Sequence, residues 1–368
     1  MGALLDTPRT EKFNESGEGN NLRYGLSSMQ GWRVSMEDAH CAITQLPGNL
    51  KDWSFFAVFD GHAGALISER LSATCVTQLF NYEIGKSSNS QMYTITEVRQ
   101  GIREGFLALD EDLHKSGSTA VCVLITPNHI FFVNCGDSRA MLIRDGEVGF
   151  ATTDHKPAHP TEKERIQNAG GSVIVQRVNG SLAVSRFALS LGDYSYKTVR
   201  GLGPTQQLIS PEPEITVIDR QKDRDQLIVL ACDGVWDVMS NEDLCQVVGE
   251  RMRCVDDLSR VCDEVIDYCL YRGSSDNMSI VLVAFEPAPK VDAELQASDK
   301  RLEQTIEQMT NGACRGPAFF SFCFVFTFSL VLQFVCVCVR VCSILTTSID
   351  HQTDQWRCES CPGLGVCS

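Results

Sequence analysis

Positive charge is scarce in this sequence. Its 368 residues carry 32 Lys and Arg against 47 Asp and Glu, a formal net charge of −15. That balance argues against nucleic acid as the main partner, because phosphate backbones recruit surplus Lys and Arg. A phosphorylated substrate remains open, provided that local cations or metals reverse the sign at one site. An apolar h-region is missing from residues 1–20, so no secretory signal peptide is expected. The nine Cys of residues 1–312 sit mostly in apolar runs, among them Cys122, Cys135, Cys232 and Cys269. Reduced, buried thiols in the cytoplasm or nucleus are therefore expected. Apolar residues are not scarce. At 43% of the chain they exclude collagen-like and wholly disordered classes, and they suffice for a buried core in one large domain or two ordinary ones.

The composition is uneven. Residues 1–312 carry the whole net charge, whereas the last 56 residues hold 3 basic and 3 acidic side chains, 8 of the 17 Cys and 7 of the 18 Phe. In the first part, short runs rich in Val, Ile and Phe and bounded by Gly, Asp, Asn or Pro predict strands at 55–59, 121–125, 130–135, 140–143, 227–232 and 280–285. Asp145-Gly146 predicts a tight hairpin into 148–150. Apolar spacing of three and four predicts helices over 63–82, 98–114 and 256–271, and Thr161 with Glu164 predicts a capping box for a short helix that Gly170-Gly171 would stop. Strands in runs with grouped helices favour packed sheets with helices outside. Pro287-Ala288-Pro289 marks the expected end of the core, and 293–309 reads as a charged amphipathic helix.

One design occurs twice. The run 55–59 leads into Asp60-Gly61-His62, and 227–232 leads into Asp233-Gly234. A carboxylate at the mouth of an apolar strand is expensive unless something pairs with it, and the following glycine lets backbone and ligand approach closely. Asp276-Asn277 before a strand, Glu37-Asp38 after Arg33, and Asp137 after the 130–135 strand add further acids. Hard divalent cations such as Mg²⁺ or Mn²⁺ take such oxygen ligands. Asp145-Gly146, by contrast, reads as a plain turn.

These residues stand in recognisable strings. Phe59-Asp60-Gly61-His62-Ala63-Gly64 resembles the signature of the metal-dependent type-2C Ser/Thr protein phosphatases, the PPM family. Gly31-Trp32-Arg33-Val34-Ser35-Met36-Glu37-Asp38-Ala39-His40 is similar to that family's N-terminal motif. Ser116-Gly117-Ser118-Thr119-Ala120, Asn134-Cys135-Gly136-Asp137-Ser138-Arg139, Asp154-His155-Lys156-Pro157, Ala231-Cys232-Asp233-Gly234-Val235-Trp236-Asp237 and Ser275-Asp276-Asn277-Met278-Ser279 match its later motifs in order. The similarity covers about residues 1–290, read as the catalytic domain, and is nearest to the animal alpha/beta-type members. It implies an α+β fold, a four-layer α-β-β-α sandwich of two antiparallel sheets flanked by helices.

The resemblance also implies a centre holding two Mn²⁺ or Mg²⁺ ions. Asp60 would bridge both, the Gly61 carbonyl would bind one, and Asp233 and Asp276 would hold the other. Glu37 and Asp38 would act through metal-bound water, and Asp137 matches a position that helps bind a weaker third ion. Arg33 would grip the phosphate and His62 is the candidate general acid. The implied reaction is hydrolysis of phosphoserine or phosphothreonine by attack of a metal-activated water, without a covalent enzyme intermediate. The chemistry is coherent without the family name. Two divalent ions ready a water and stabilise in-line displacement, Arg33 offers a bidentate fork, and His62 can be protonated near neutral pH. Phosphorylated proteins are the expected partners, nucleic acid is not, and a monomer in cytoplasm and nucleus is expected.

Other readings compete. Cys254 and Arg260 have the C-x₅-R spacing of cysteine phosphatases, but Asp256 and Asp257 between them oppose a phosphate cradle. A catalytically dead binding protein on the same fold is the rival from another class. The connection at 113–116 is shorter than the family pattern, and Phe187 to Ser190 reads as a small insertion that bears on peptide recognition. Met1-Gly2 opens a weak N-myristoylation signal, with Asp6 where Ser or Thr is preferred. Residues 291–312 start a helical extension, and 313–368 form an atypical apolar tail. Its uncharged run 318–339 is long enough to span a bilayer. Cys336 to Cys342 nevertheless looks like a translated GT-dinucleotide repeat, which favours read-through or mis-spliced sequence. Cys358 and Cys361 lack the further ligands of a zinc site.

Overall fold

The computed structural model describes residues 4–81, 93–111, 113, 116–174, 177–179 and 188–311. Several expectations lie outside the described residues: the Met1-Gly2 signal, Tyr82, residues 112 and 114 of the 98–114 helix, the middle of the 113–116 connection, and Phe187. The whole tail from 313, with its 318–339 run, the Cys336 to Cys342 repeat and the Cys358/Cys361 pair, lies outside them too. Among the described residues no helix is long and apolar enough to cross a membrane.

Two antiparallel sheets face each other. The first has six strands in the order β1 (Leu4–Gly19), β2 (Leu22–Arg33), β15 (Met278–Ala284), β14 (Asp225–Ala231), β8 (Arg139–Arg144) and β9 (Glu147–Ala151). The second has seven, in the order β12 (Leu191–Gly192), β5 (Gly117–Ser118), β4 (Ser54–His62), β6 (Ala120–Ile125), β7 (His129–Cys135) and β13 (Glu214–Asp219), with β3 (Asp38–Ile43) also on β4. A small hairpin pairs β10 (Val173–Ile174) with β11 (Arg177–Val178).

The period of two along each strand decides the layers. In β14, Ile228 and Leu230 point inward to meet Phe56 and Val58 of β4 and Val121 and Val123 of β6, forming the core between the sheets. Val229 and Ala231 point the other way, onto Val261 and Val265 of α6 (Leu258–Tyr271) and Val248 of α5 (Asn241–Cys254). Phe55, Ala57 and Phe59 of β4 likewise meet Leu71 of α1 (Leu66–Asn81) and Phe106 of α2 (Ile95–Glu111). Strands buried on both faces explain the continuous apolar runs in the sequence, and burying each Phe or Leu contributes roughly 1.5–3 kcal/mol. The result is the four-layer α-β-β-α arrangement.

Boundaries moved for identifiable reasons. α1 starts at Leu66 rather than at residue 63 because Ala63 and Gly64 have φ of 59° and 120°, outside the helical region. The capping box at Thr161 and Glu164 is not formed. α3 (Pro160–Asn168) instead has His159 at its N-cap position, without a side-chain capping bond, and Pro160 in its first turn, where the fixed φ of proline suits a helix start. β14 stops at Ala231 because Cys232 caps the single turn α4 (Asp233–Trp236). Asp145 and Gly146 form the expected turn, with φ of 54° and 80°.

The first hairpin, and the buried tie that holds the expected 293–309 helix to the core, had no sequence expectation. Residues 4–33 form a long hairpin, turning at Asn20 and Asn21 with φ of 52° and 58°, and β1 is tied to α6 by Lys12–Asp267 at 2.7 Å and Asn14–Asp263 at 2.8 Å. The last described helix, α7 (Ala293–Asn311), is joined to α5 through Arg251. That guanidinium is fully buried and bonds Asp299 of α7 at 2.8 and 3.0 Å and Glu264 of α6 at 2.5 Å.

Candidate metal centre and active site

Strand alternation carries Asp60 into the space between the sheets. It is in phase with Phe56 and Val58 on β4, so it occupies the next inward-facing position after the core residues. Asp38 is its register partner on β3. From the opposite sheet Cys232 follows β14, and one ligand atom from each of Asp38, Asp60 and Cys232 lies within 4.8 Å of the others. The two sheets therefore bring the Asp38–Asp60 pair against Cys232, a residue distant in sequence.

Two loops complete the cluster. Asp233 opens α4, whose Trp236 anchors it by donating from Nε1 to the carbonyls of Ala231 at 2.9 Å and Arg139 at 3.2 Å. Gly234 is packed so tightly under the Asn277 carbonyl that a Cβ would collide with it, and its own carbonyl accepts from Ser274 Oγ at 2.7 Å. The loops bearing Asp233 and Asp276 are thus interlocked. Asn277 then clamps a third segment. Its Oδ1 accepts from the Glu37 N–H at 2.9 Å, and its Nδ2 donates to the carbonyls of Gln30 at 2.9 Å and Ser35 at 3.0 Å. This fixes the stretch that holds Arg33, Glu37 and Asp38. Arg33 Nη2 donates to Asp276 Oδ2 at 2.6 Å.

The electrostatics follow from this crowding. Burial, and then the charges of Asp233, Asp38, Asp137 and Asp276, hold the Asp60 carboxyl well above the usual carboxylate range. Burial raises Asp38 to about 7, against the opposing hydrogen bonds from Ser279 (2.7 Å) and the Cys232 thiol. The guanidinium of Arg33 is pushed up by its bond to Asp276 and by the charges of Asp233 and Asp60, with burial opposing. The Cys232 thiol is itself pushed far up by burial and the neighbouring carboxylates, so it serves as a neutral donor behind the oxygens.

Six of the nine expected residues thus share one electrostatic field: Arg33, Asp38, Asp60, Asp137, Asp233 and Asp276. Asp137 is buried beside it, in the turn between β7 and β8. Three are arranged differently. The Glu37 carboxylate accepts from the Gly64 N–H at 2.7 Å, and its carbonyl accepts from the Gly61 N–H at 3.2 Å and from the Ser68 hydroxyl. Gly61 lies directly against that carbonyl. His62 turns to Asp193, with Nε2 to Oδ2 at 2.7 Å. A cavity of about 410 Å³ lined by His155, His159, Arg165 and Glu212 contains none of the expected site residues.

The donor set suits a hard divalent cation. Carboxylates that burial and mutual repulsion push toward protonation regain favourable ionisation when a cation sits among them, and oxygens outnumber the one neutral sulfur. Sequence reasoning missed Asn277, Asp193 and Ser279 as positioning groups. Asn277 was legible only as the neighbour of Asp276, and nothing local in the sequence ties Asp193 to His62 131 residues away.

The family model "Protein phosphatase 2C" matches residues 22–278. The chain is 56% identical over 321 residues to "Protein phosphatase 1B" of Bos taurus, covering 83% of this chain and 66% of that protein, so it spans just under two thirds of the relative's length. It is 53% identical over 330 residues to "Protein phosphatase 1A" of Mus musculus, covering 86% and 85%. Among solved structures, a phosphatase from Toxoplasma gondii superposes with a TM-score of 0.62 at 28% identity, over 75% of this chain and 96% of that one.

Proposed function

Because the chain belongs to the protein phosphatase 2C family, we propose that it is a metal-dependent protein serine/threonine phosphatase, a phosphoric monoester hydrolase acting on phosphoproteins. One observation carries the reading: Asp38, Asp60, Asp233 and Asp276, drawn from both sheets, converge beside a guanidinium. The acids would hold divalent cations, two Mn²⁺ or Mg²⁺, with Glu37, Gly61 and Asp137 as further oxygen donors and Asp137 serving a weaker third ion. When bound, such ions supply charge neutralisation and a water acidic enough to attack phosphorus at neutral pH, without a covalent enzyme intermediate.

The chain's own residues do the rest. Arg33, half-buried and braced by Asp276 at 2.6 Å, presents a planar fork to the phosphoryl oxygens and orients them. His62 delivers a proton to the departing serine or threonine oxygen, which is too basic to leave unprotonated. Asn277 and the α4 turn keep the three loops in register, so positioning precedes chemistry. Hydrolysis of a phosphothreonine peptide by the full chain with Mn²⁺ or Mg²⁺, compared with EDTA, tests the reading. Turnover that depends on the cation supports it, and a fully folded chain that is inert under both conditions refutes it. We further propose a monomer in the cytoplasm and nucleus, for which recovery of the chain in a washed membrane pellet would be the contrary result.

A further inference from the structure

We propose that Arg139 is a positioning residue for the cation site: its guanidinium, braced by Asp154 and laid on Trp236, holds the turn of Asp137 and the turn of Asp233 as one unit. The proposal rests on the phosphatase reading above and names what keeps those two acids in register.

Strand pairing sets the two turns side by side. Arg139 opens β8 and is the register partner of Ala231, the last residue of β14. Asp137 stands just before Arg139 in the chain, and Asp233 just after Ala231. Asp233 begins α4, a helix of four residues. A single turn has no helical stability of its own, so whatever holds Trp236 also decides where Asp233 points. On the Asp276 side α4 is held through Gly234. On the Asp137 side it is held by Arg139. Trp236 Nε1 donates to the carbonyls of both register partners, at 2.9 Å to Ala231 and 3.2 Å to Arg139. The Arg139 guanidinium lies 4.8 Å from the centre of the indole ring, within the range of cation–π attraction.

The guanidinium is itself fixed along each of its edges. Nε and Nη2 donate to the two oxygens of Asp154, both at 2.9 Å, and Nη1 donates at 2.6 Å to Oδ1 of Asn241, the first residue of α5. The Arg139 and Asp154 side chains are 19% and 11% exposed. His155, next to Asp154, grips the Asp137 turn directly. Its N–H donates to the Gly136 carbonyl at 2.9 Å, and its Nδ1 accepts from the Gly136 N–H at 3.2 Å. Ser138 ties the same turn to Asp60: its hydroxyl is 2.8 Å from Thr119 Oγ1, and the Thr119 N–H donates to the Asp60 carbonyl at 2.9 Å. An ion pair taken out of water adds little net stability, because desolvation offsets the attraction. What a bidentate fork adds is direction, and Lys, a point charge on a flexible stem, cannot reproduce it. Arg139 therefore acts on the acids through the backbone of its own turn and through the indole of α4.

The test measures the Mn²⁺ affinity of the EDTA-treated full chain by titration calorimetry, with phosphopeptide kinetics and thermal unfolding alongside. Arg139→Lys is expected to weaken Mn²⁺ binding about tenfold, the lower end of the cost of losing a group that orients metal ligands. The Mn²⁺ concentration giving half-maximal turnover should rise by the same factor, while KM for a phosphothreonine peptide at saturating Mn²⁺ should not move. A merely structural role would lower Tm and leave the Mn²⁺ affinity of the folded chain alone. Asp154→Asn, which loosens the fork without removing Arg139, should weaken binding in the same direction, and the double variant should bind no worse than Arg139→Lys. Asp154→Asn carries the test if Arg139→Lys does not fold. Wild-type affinity in a folded variant, or losses that add in the double variant, would overturn the proposal. Uptake of Mn²⁺ by a wild-type chain that hydrolyses no phosphopeptide would overturn the phosphatase reading instead, and the affinity comparison would still decide the role of Arg139. A wild-type chain that binds no Mn²⁺ would overturn both.

Discussion

Arg33 and Asp276 stand 243 positions apart in the chain and meet at 2.6 Å. The contact couples a cation suited to phosphate with an acid suited to metal, so the two halves of the proposed site cannot be altered independently. Arg33→Lys keeps the charge but loses the fork. It is expected to lower kcat/KM on a phosphopeptide by roughly tenfold to a hundredfold, the kinetic equivalent of the 1.5–3 kcal/mol of a hydrogen bond to a charged group. Steady-state kinetics at saturating Mn²⁺ checks it, and an Arg33→Lys variant as active as wild type would remove Arg33 from the site.

Asp38 gives the cation-free protein a distinctive pH dependence. Burial raises its folded-state value to about 7, above the ordinary aspartate value of 3.8, so between those values the folded state binds more protons than the unfolded state. Stability then falls as pH rises through that window. In EDTA, Asp38→Asn should therefore raise Tm relative to wild type by an amount that grows from about pH 5 to about pH 8. Excess Mn²⁺ should reverse the order. Thermal unfolding by circular dichroism measures both, and a difference that shrinks with rising pH would contradict the assignment.

Arg251 makes the α7 helix part of the folded unit. Asp299→Ala leaves a fully buried guanidinium with Glu264 alone, and breaking a buried pair in this way costs about 3–5 kcal/mol. Urea denaturation should show that loss, and Arg251→Met, which removes the charge instead of stranding it, should lose less. Equal losses would show that packing of α7, rather than ion pairing, holds the helix.

Gly234→Ala tests the interlock between the Asp233 and Asp276 loops. A methyl there meets the Asn277 carbonyl, and forcing such a contact costs about 1–3 kcal/mol. Because the strain falls between two proposed metal-binding loops, Mn²⁺ affinity measured by calorimetry should drop along with stability. A stable variant with wild-type affinity would show the loops to be independent.

The strands and the acids were legible in the sequence for one reason. Strands buried on both faces produce unbroken apolar runs; the run 55–59 ends in Asp60, whose position in the alternation decides where it points, whereas Asp233 after 227–232 is aimed by the α4 turn. The β1–β2 hairpin was not legible because β1 is a polar edge strand held by ion pairs such as Lys12–Asp267 rather than by apolar periodicity. The His62–Asp193 contact was hidden for a different reason. It depends on two-residue strands, β5 and β12, too short to leave a pattern. Asn277 lay in plain view, but its clamp on Glu37, Gln30 and Ser35 exists only once the sheets pack.

Titration calorimetry of the full chain with Mn²⁺ at neutral pH, alongside Asp60→Asn, bears most directly on the claim that acids from both sheets form one cation site. Saturable uptake by the wild type that disappears in a folded Asp60→Asn variant is the predicted result. No uptake by the wild type, or uptake that Asp60→Asn leaves unchanged, would contradict it.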